Sequence, residues 1–375
     1  MSLCRTLMAA LMALSLIGTA DAEEDHRAWQ HGVNVVQLGE RWLVVWGSPG
    51  NPPRPNLGGD WQHDVYYAWL NAPSAGDVTL SDPKVLVARA EAQEPPSVAV
   101  NAAGTLLMTS EDGSDGINQY AGMWDSNLKV LRAYPFMVRR GGHSGHVAAM
   151  GDRFLISYGE DWVDHGGFLD RGTGKDIHVR IIENNGKRGK EIDIASGHRD
   201  GWPLVAGSDR NWMVVWQRYP DMTLHSVLVD AKGKLSSSRE ISQRMPIRYA
   251  YDLEFVPGLA AYVVAGSSGE AGFVARLNLS GEIENIQHGL PPMVSESRIL
   301  TRCDGKQCIG VYPVRPKGVA VVRLSAGGTE LLKLIDTTQE WDYMGTAGAF
   351  VTPERVVFAT LTTSGIRLVS IALPR

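Results

Sequence analysis

The chain has 375 residues, 44% of them hydrophobic and 21% charged, which is enough apolar material to bury a large core. Its formal net charge is only −5, which argues against a nucleic-acid surface and gives no support for a basic membrane patch.

Residues 1–22 read as a secretory signal peptide. Arg5 supplies the positive start, 7–17 form an apolar run, and Ala20-Asp21-Ala22 fits a small-x-small cleavage site. The run is too short to span a bilayer comfortably, so no membrane span is expected and the protein is expected to be periplasmic or secreted. Cys4 would leave with the signal. Cys303 and Cys308 then remain, flanking an Asp304-Gly305 turn, and an even count in an exported chain predicts a disulfide between them.

The rest, 23–375, is expected to be a single domain built on one repeated apolar strand. The strand returns seven times, ending at Trp46, Thr109, Tyr158, Trp216, Ala265, Tyr312 and Ala359, in steps of 63, 49, 58, 49, 47 and 47. A period near ~40–50 residues with several strands per unit predicts an all-β fold, a seven-bladed β-propeller. In chain order, the first blade takes strands at 33–38, 41–46, 64–70 and 85–88, with a Gly/Pro-rich insertion at 47–63. The second takes 96–100, 105–110, 120–124 and 129–134. The third starts at 146–150, and a long loop at 159–175 precedes its strand at 176–182. The fourth takes 202–206, 212–216, 224–230 and 237–242. The fifth takes 251–255, 261–266 and 272–279, and the sixth 298–303, 308–313, 318–324 and 330–335. The seventh has 346–350, 355–361 and 365–373 and ends one strand short, so an N-terminal strand at 24–30 is expected to close the ring.

In a four-stranded blade, the loop entering the first strand and the loop after the second lie on one face. That face collects His26, Arg27, His31, Glu94, Arg139, His143, His146, His198, Arg199, Asp200, Trp202, Arg248, Tyr249, Tyr251, Asp252, Glu296, Arg298, Glu340 and Trp341. The two insertions add Trp61, His63, Glu160 and Trp162. The opposite face carries plain turns such as Gly39-Glu40 and Gly151-Asp152. Convergent polar groups at a concave mouth make the rich face the candidate site. Arg199, Arg248 and Arg298 suit a carboxylate, and Trp61, Trp162, Trp202 and Trp341 suit stacking on sugar rings. Together they point to an acidic glycan or small anionic ligand. His143, His146, His198, Tyr249 and Tyr251 are candidates for acid and base, as a uronate β-elimination requires. Hydrolysis would instead use paired carboxyl groups, for which Glu160, Glu296, Glu340 and Asp342 are available. The sequence requires no cofactor but admits a divalent metal, with His143-x-x-His146 joined by His198 or His31. The alternative to an enzyme is a non-catalytic ligand- or protein-binding propeller.

The repeats WMVVWQRYPDMTLHSVLVDAKGKL and WLVVWGSPG…DVYYAWLN resemble those of exported bacterial propellers in the broad sialidase-like (BNR-type) group. The Asp-box of true sialidases, Ser-x-Asp-x-Gly-x-x-Trp, is absent; Ser110-Glu111-Asp112-Gly113 is a poor echo of it. The resemblance therefore does not imply sialidase activity. The group includes seven-bladed polysaccharide lyases, and by that likeness His143 or His146 would be the base, Tyr249 or Tyr251 the acid, and Arg199 or Arg248 the carboxylate partner.

Overall fold

A computed structural model describes residues 31–49, 63–73, 76–114, 117–160, 177–219, 222–242, 249–305, 307–341, 345–362 and 365–374. The expected signal segment, the closing strand at 24–30, Trp61, Trp162 and Arg248 lie outside the described residues.

The described chain folds into seven antiparallel sheets. Blade 1 contains β1 (His31–Leu38), β2 (Arg41–Ser48) and β3 (Asp64–Asn71), with β4 (Thr79–Leu80) and β5 (Lys84–Val87) both pairing with β3. Blade 2 contains β6 (Gln93–Val100), β7 (Leu106–Asp112), β8 (Asn118–Trp124) and β9 (Val130–Arg140). Blade 3 contains β10 (Gly142–Met150), β11 (Arg153–Glu160), β12 (Ile177–Ile182) and β13 (Arg188–Ala195). Blade 4 contains β14 (Arg199–Gly207), β15 (Asn211–Tyr219), β16 (Thr223–Asp230) and β17 (Arg239–Ser242). Blade 5 contains β18 (Tyr251–Val256), β19 (Ala261–Ser268), β20 (Ala271–Asn278) and β21 (Ile283–Leu290). Blade 6 contains β22 (Leu300–Asp304), β23 (Gln307–Pro313), β24 (Lys317–Ser325) and β25 (Gly328–Glu340), and blade 7 contains β26 (Thr346–Thr352), β27 (Arg355–Thr362) and β28 (Gly365–Ala372). Each first strand contacts the first strand of the next blade, and β1 contacts both β6 and β26, so the ring closes. The protein is a seven-bladed β-propeller.

Both faces of every blade pack against a neighbour. Strands there read as continuous apolar runs rather than alternating ones, because neither face meets water. Trp212, Met213, Val214, Val215 and Trp216 in β15 are all buried. The core is accordingly seven apolar layers, one per blade interface. Each fully buried large side chain contributes about 1.5–3 kcal/mol. Packing is tight enough that blades 3 and 4 touch through backbone: a Cβ on Gly207 would lie 1.9 Å from the Ala149 carbonyl oxygen.

Cys303 and Cys308 are disulfide-bonded across the β22–β23 hairpin, as expected. Gly305 in its turn has φ +59°, which the Asp-Gly signal anticipates.

The inner strands differ from expectation at one end. β6, β10 and β14 begin three residues or more before the predicted starts at 96, 146 and 202. Each passes through a bulge, with register breaks between Glu94 and Ser97, His143 and His146, and Gly201 and Leu204. The apolar pattern starts only after the bulge, which is why the sequence places the strands late.

Candidate functional site

The bulged ends of the inner strands all open on one face. Gly32, Ser144, Trp202, Tyr249 and Glu296 occupy the left-handed region there, with φ between +52° and +58°. Only the first is a glycine. A bulky residue in this conformation costs on the order of 1–3 kcal/mol, and such outliers gather at ligand-facing positions.

Two adjoining clefts result, and Trp202 belongs to both. The axial mouth is lined by Asn34, His146, Trp202, Tyr251, Glu296 and Arg298. A rim cleft between blades 3 and 4 is lined by His143, Ser144, Glu160, Arg199, Asp200, Trp202 and Tyr219.

In the rim cleft, Glu111 Oε2 lies 3.1 Å from His143 Nδ1 and accepts the Ser144 backbone N–H at 2.9 Å. The Ser144 hydroxyl also contacts His143 Nδ1. A carboxylate on Nδ1 favours the tautomer whose basic atom is Nε2. The His143 side chain is 13% exposed, enough to meet a ligand in the cleft. Asp200 is fully buried and holds Arg218 by two prongs, 2.9 and 3.2 Å, so this acid is already committed. The Tyr219 hydroxyl donates to Gln217 Oε1 at 3.1 Å.

In the axial mouth, the His146 ring packs edge-on against Trp202 at 5.0 Å, and Trp202 packs against Tyr249 at 4.2 Å. Tyr251 is 1% exposed and its hydroxyl donates to the Trp202 carbonyl. Arg298 donates to Asp252 at 2.8 Å, and the Ile299 backbone N–H donates to the other carboxylate oxygen at 2.8 Å. Burial pushes the Asp252 carboxyl up, while Arg298 and the backbone N–H groups oppose that shift.

Among the expected site residues, the two clefts thus gather His143, His146, Arg199, Trp202, Tyr251 and Arg298. Tyr249 sits just behind them, buried against Trp202. Tyr249 and Tyr251 are wall residues rather than presented acids, because their rings pack into the core between blades 4 and 5. His198 is exposed and lines neither cleft. Trp341 corrects the expectation of a sugar platform. It is 8% exposed, packs on Phe358 and donates its indole N–H to the Gly318 carbonyl, so it belongs to the core between blades 6 and 7.

Glu111 and Tyr219 escaped sequence reasoning. A signal for Glu111 exists: it stands two residues past Thr109, just as Glu160 and Arg218 stand two past Tyr158 and Trp216. Aligning the repeats by their final residues places all three at the same end of their blades.

A third cluster lies toward the outer edge of blade 3. One ligand atom each from His178, Glu191 and Asp193 falls within 4.8 Å of the others, a donor set that fits a divalent metal. His178 Nδ1 is 2.8 Å from Asp193. Glu191 is also gripped by Arg139, by Arg180 at 3.1 Å and by the Tyr158 hydroxyl at 2.9 Å. Burial alone would raise the Glu191 carboxyl, but the Tyr158 hydroxyl, Arg139 and Arg180 outweigh it and the net shift is downward. The histidines expected as metal ligands, His143 and His146, face different clefts.

No protein-family model matches the chain, and no curated protein is detectably similar to it. Solved structures do match, at the level of fold. An oligogalacturonate lyase in complex with manganese is 13% identical, with a TM-score of 0.51 over 92% of this chain and 97% of that one. BBS1N in complex with ARL6DN is 12% identical, with a TM-score of 0.54 over 94% and 95%. A protein from Lactobacillus plantarum is 14% identical, with a TM-score of 0.51 over 89% and 97%.

Proposed function

We propose that the protein takes an acidic carbohydrate at this face and cleaves it by β-elimination in the rim cleft. One observation carries this function: an imidazole oriented by a carboxylate, His143 on Glu111, and a guanidinium, Arg199, line the same cleft as Tyr219 and Trp202. His143 would remove the proton next to the sugar carboxylate. The electron pair forms the new carbon–carbon double bond as the glycosidic C–O bond breaks. The protonated His143 would then return that proton to the departing oxygen, since the Tyr219 hydroxyl is already donated to Gln217. Arg199 would fork the carboxylate and hold the charge that develops on it. Hydrolysis by two carboxyl groups is less well supported, since of the two acids lining the cleft Asp200 is committed to Arg218. An oligogalacturonate lyase shares the ring architecture, which supports the substrate class by fold alone. A divalent metal would find its donors at His178, Glu191 and Asp193, beside the rim cleft, since His178 Nε2 lies 3.7 Å from the Glu160 carboxylate that lines it. The signal-like segment at 1–22 and the disulfide support export to the periplasm or medium.

A second function has its own support. Arg298 is neutralised by Asp252 and Arg218 by Asp200, which lowers the cationic character of the face and suits a non-catalytic binding propeller. Incubation with a panel of uronate polysaccharides separates the two. Elimination gives an unsaturated product absorbing in the ultraviolet and new reducing ends. Binding without either product would support the non-catalytic protein.

A further inference from the structure

Below the mouth, the axial channel offers an open space of about 210 Å³. The titratable or charged groups on its wall are His146 from β10, Asp252 and Glu254 from β18, and Arg298 ahead of β22. Among the described residues, β1, β6, β14 and β26 present only neutral ones. Asp252 and Arg298 cancel each other through their 2.8 Å ion pair. Glu254 is left. Thr301 donates to its carboxyl group, but Oε2 is buried and meets no hydrogen-bond donor among the described residues. A buried carboxylate oxygen without a partner is costly. Desolvation, with Asp252 adding to it, pushes this carboxyl up to about 8. A proton removes the charge and still leaves that oxygen unpaired, whereas a bound cation resolves both problems.

We propose that the axial channel is a binding site for a monovalent hard cation, held by the Glu254 carboxylate of blade 5, with the oxygen-bearing side chains of Asn34 and Ser97 lining the same channel from blades 1 and 2. Charge selects the class. With Asp252 and Arg298 cancelling, ionised Glu254 contributes one negative charge, which a monovalent ion neutralises. A divalent ion would leave a net positive charge in a poorly solvated space, which is penalised. Asn34 donates its Nδ2 to the Pro96 carbonyl at 2.7 Å, so its carbonyl oxygen is the end available to a cation. The ion replaces the Glu254 proton, so binding tightens with pH. For a carboxyl near 8, the ionised fraction and hence the apparent affinity rise about 50-fold between roughly pH 6 and pH 8. Protonation of His146 acts in the same direction, because a charged imidazole repels the ion. This site is separate from the rim cleft, and its readout is ion binding alone.

Crystals of the full chain soaked in rubidium chloride at about pH 8.5 test the site directly. One anomalous peak is expected beside Glu254 Oε2, and none in E254Q crystals. In solution, potassium chloride should raise the melting temperature over tetramethylammonium chloride of equal ionic strength. That gain should be large at about pH 8.5, nearly gone at about pH 6, and absent in E254Q. D193N, which alters the outer cluster, should keep it. No peak in the wild type, or a peak that survives E254Q, would overturn the site. Stabilisation by calcium chloride but not potassium chloride would overturn the charge argument. If E254Q does not fold, a potassium response in the wild type that is equal at both pH values overturns the proposal.

Discussion

Glu111 holds two neighbours with one carboxylate oxygen: His143 Nδ1 at 3.1 Å and the Ser144 backbone N–H at 2.9 Å. The same group therefore orients the candidate base and stabilises the left-handed turn beside it. His143→Gln is expected to lower uronate cleavage by about 10²–10⁴-fold, the usual loss for a general base. Glu111→Gln should lower it roughly tenfold with KM little changed, because a positioning residue acts through the imidazole. The check is steady-state kinetics across pH, where Glu111→Gln should also displace the acidic limb of the profile.

Gly207 tests how closely the blades approach. Its missing Cβ is what lets the Ala149 carbonyl pass, at a spacing no side chain allows. Gly207→Ala should cost about 3 kcal/mol or more, because two inner strands must separate. Gly39→Ala, in an open turn at φ +64°, should cost only about 1–2 kcal/mol. Urea unfolding midpoints of the two variants measure the difference.

The Cys303–Cys308 bridge closes a very short loop, so its loss should cost about 2 kcal/mol. It ties the hairpin at the end of the ring opposite the clefts. Cys303→Ser with Cys308→Ser should therefore lower the melting temperature and leave ligand affinity at the wild-type level.

Trp341→Ala should cost about 3–5 kcal/mol, the range for emptying a buried aromatic site. Carbohydrate affinity of the folded variant, measured by calorimetry, should stay unchanged, since the ring faces Phe358 and not the mouth.

Glu254 sets a pH dependence of stability whose sign follows from burial. Its carboxyl ionises near 4.5 when unfolded and near 8 when folded. Between those values the unfolded chain binds fewer protons, so stability is full at low pH and declines as pH rises through about 8. Melting curves in tetramethylammonium buffers should show this decline in the wild type, and E254Q should flatten it.

The ring was legible because seven apolar strands share a spacing, and burial on both sheet faces forces each to be apolar throughout. The outer strands were harder to bound. β13 has no buried residue, and β9 runs to Arg140 rather than 134, since no apolar pattern marks such edges. The sequence gathered polar side chains on the face where the two clefts open but did not sort presented groups from wall groups. Tyr251 and Trp341 look like ligand residues by position, yet backbone carbonyls of Trp202 and Gly318 claim their polar atoms. Glu111 was missed because its partner lies 32 residues away on the next blade, a contact made by packing rather than by spacing.

The most direct measurement is a calorimetric titration with a uronate trisaccharide and its carboxyl-reduced, neutral counterpart. The acidic sugar should bind at least roughly tenfold more tightly, and Arg199→Ala should erase that preference. Equal affinity for the two sugars, or a preference that survives Arg199→Ala, would contradict an acidic-carbohydrate site in the rim cleft.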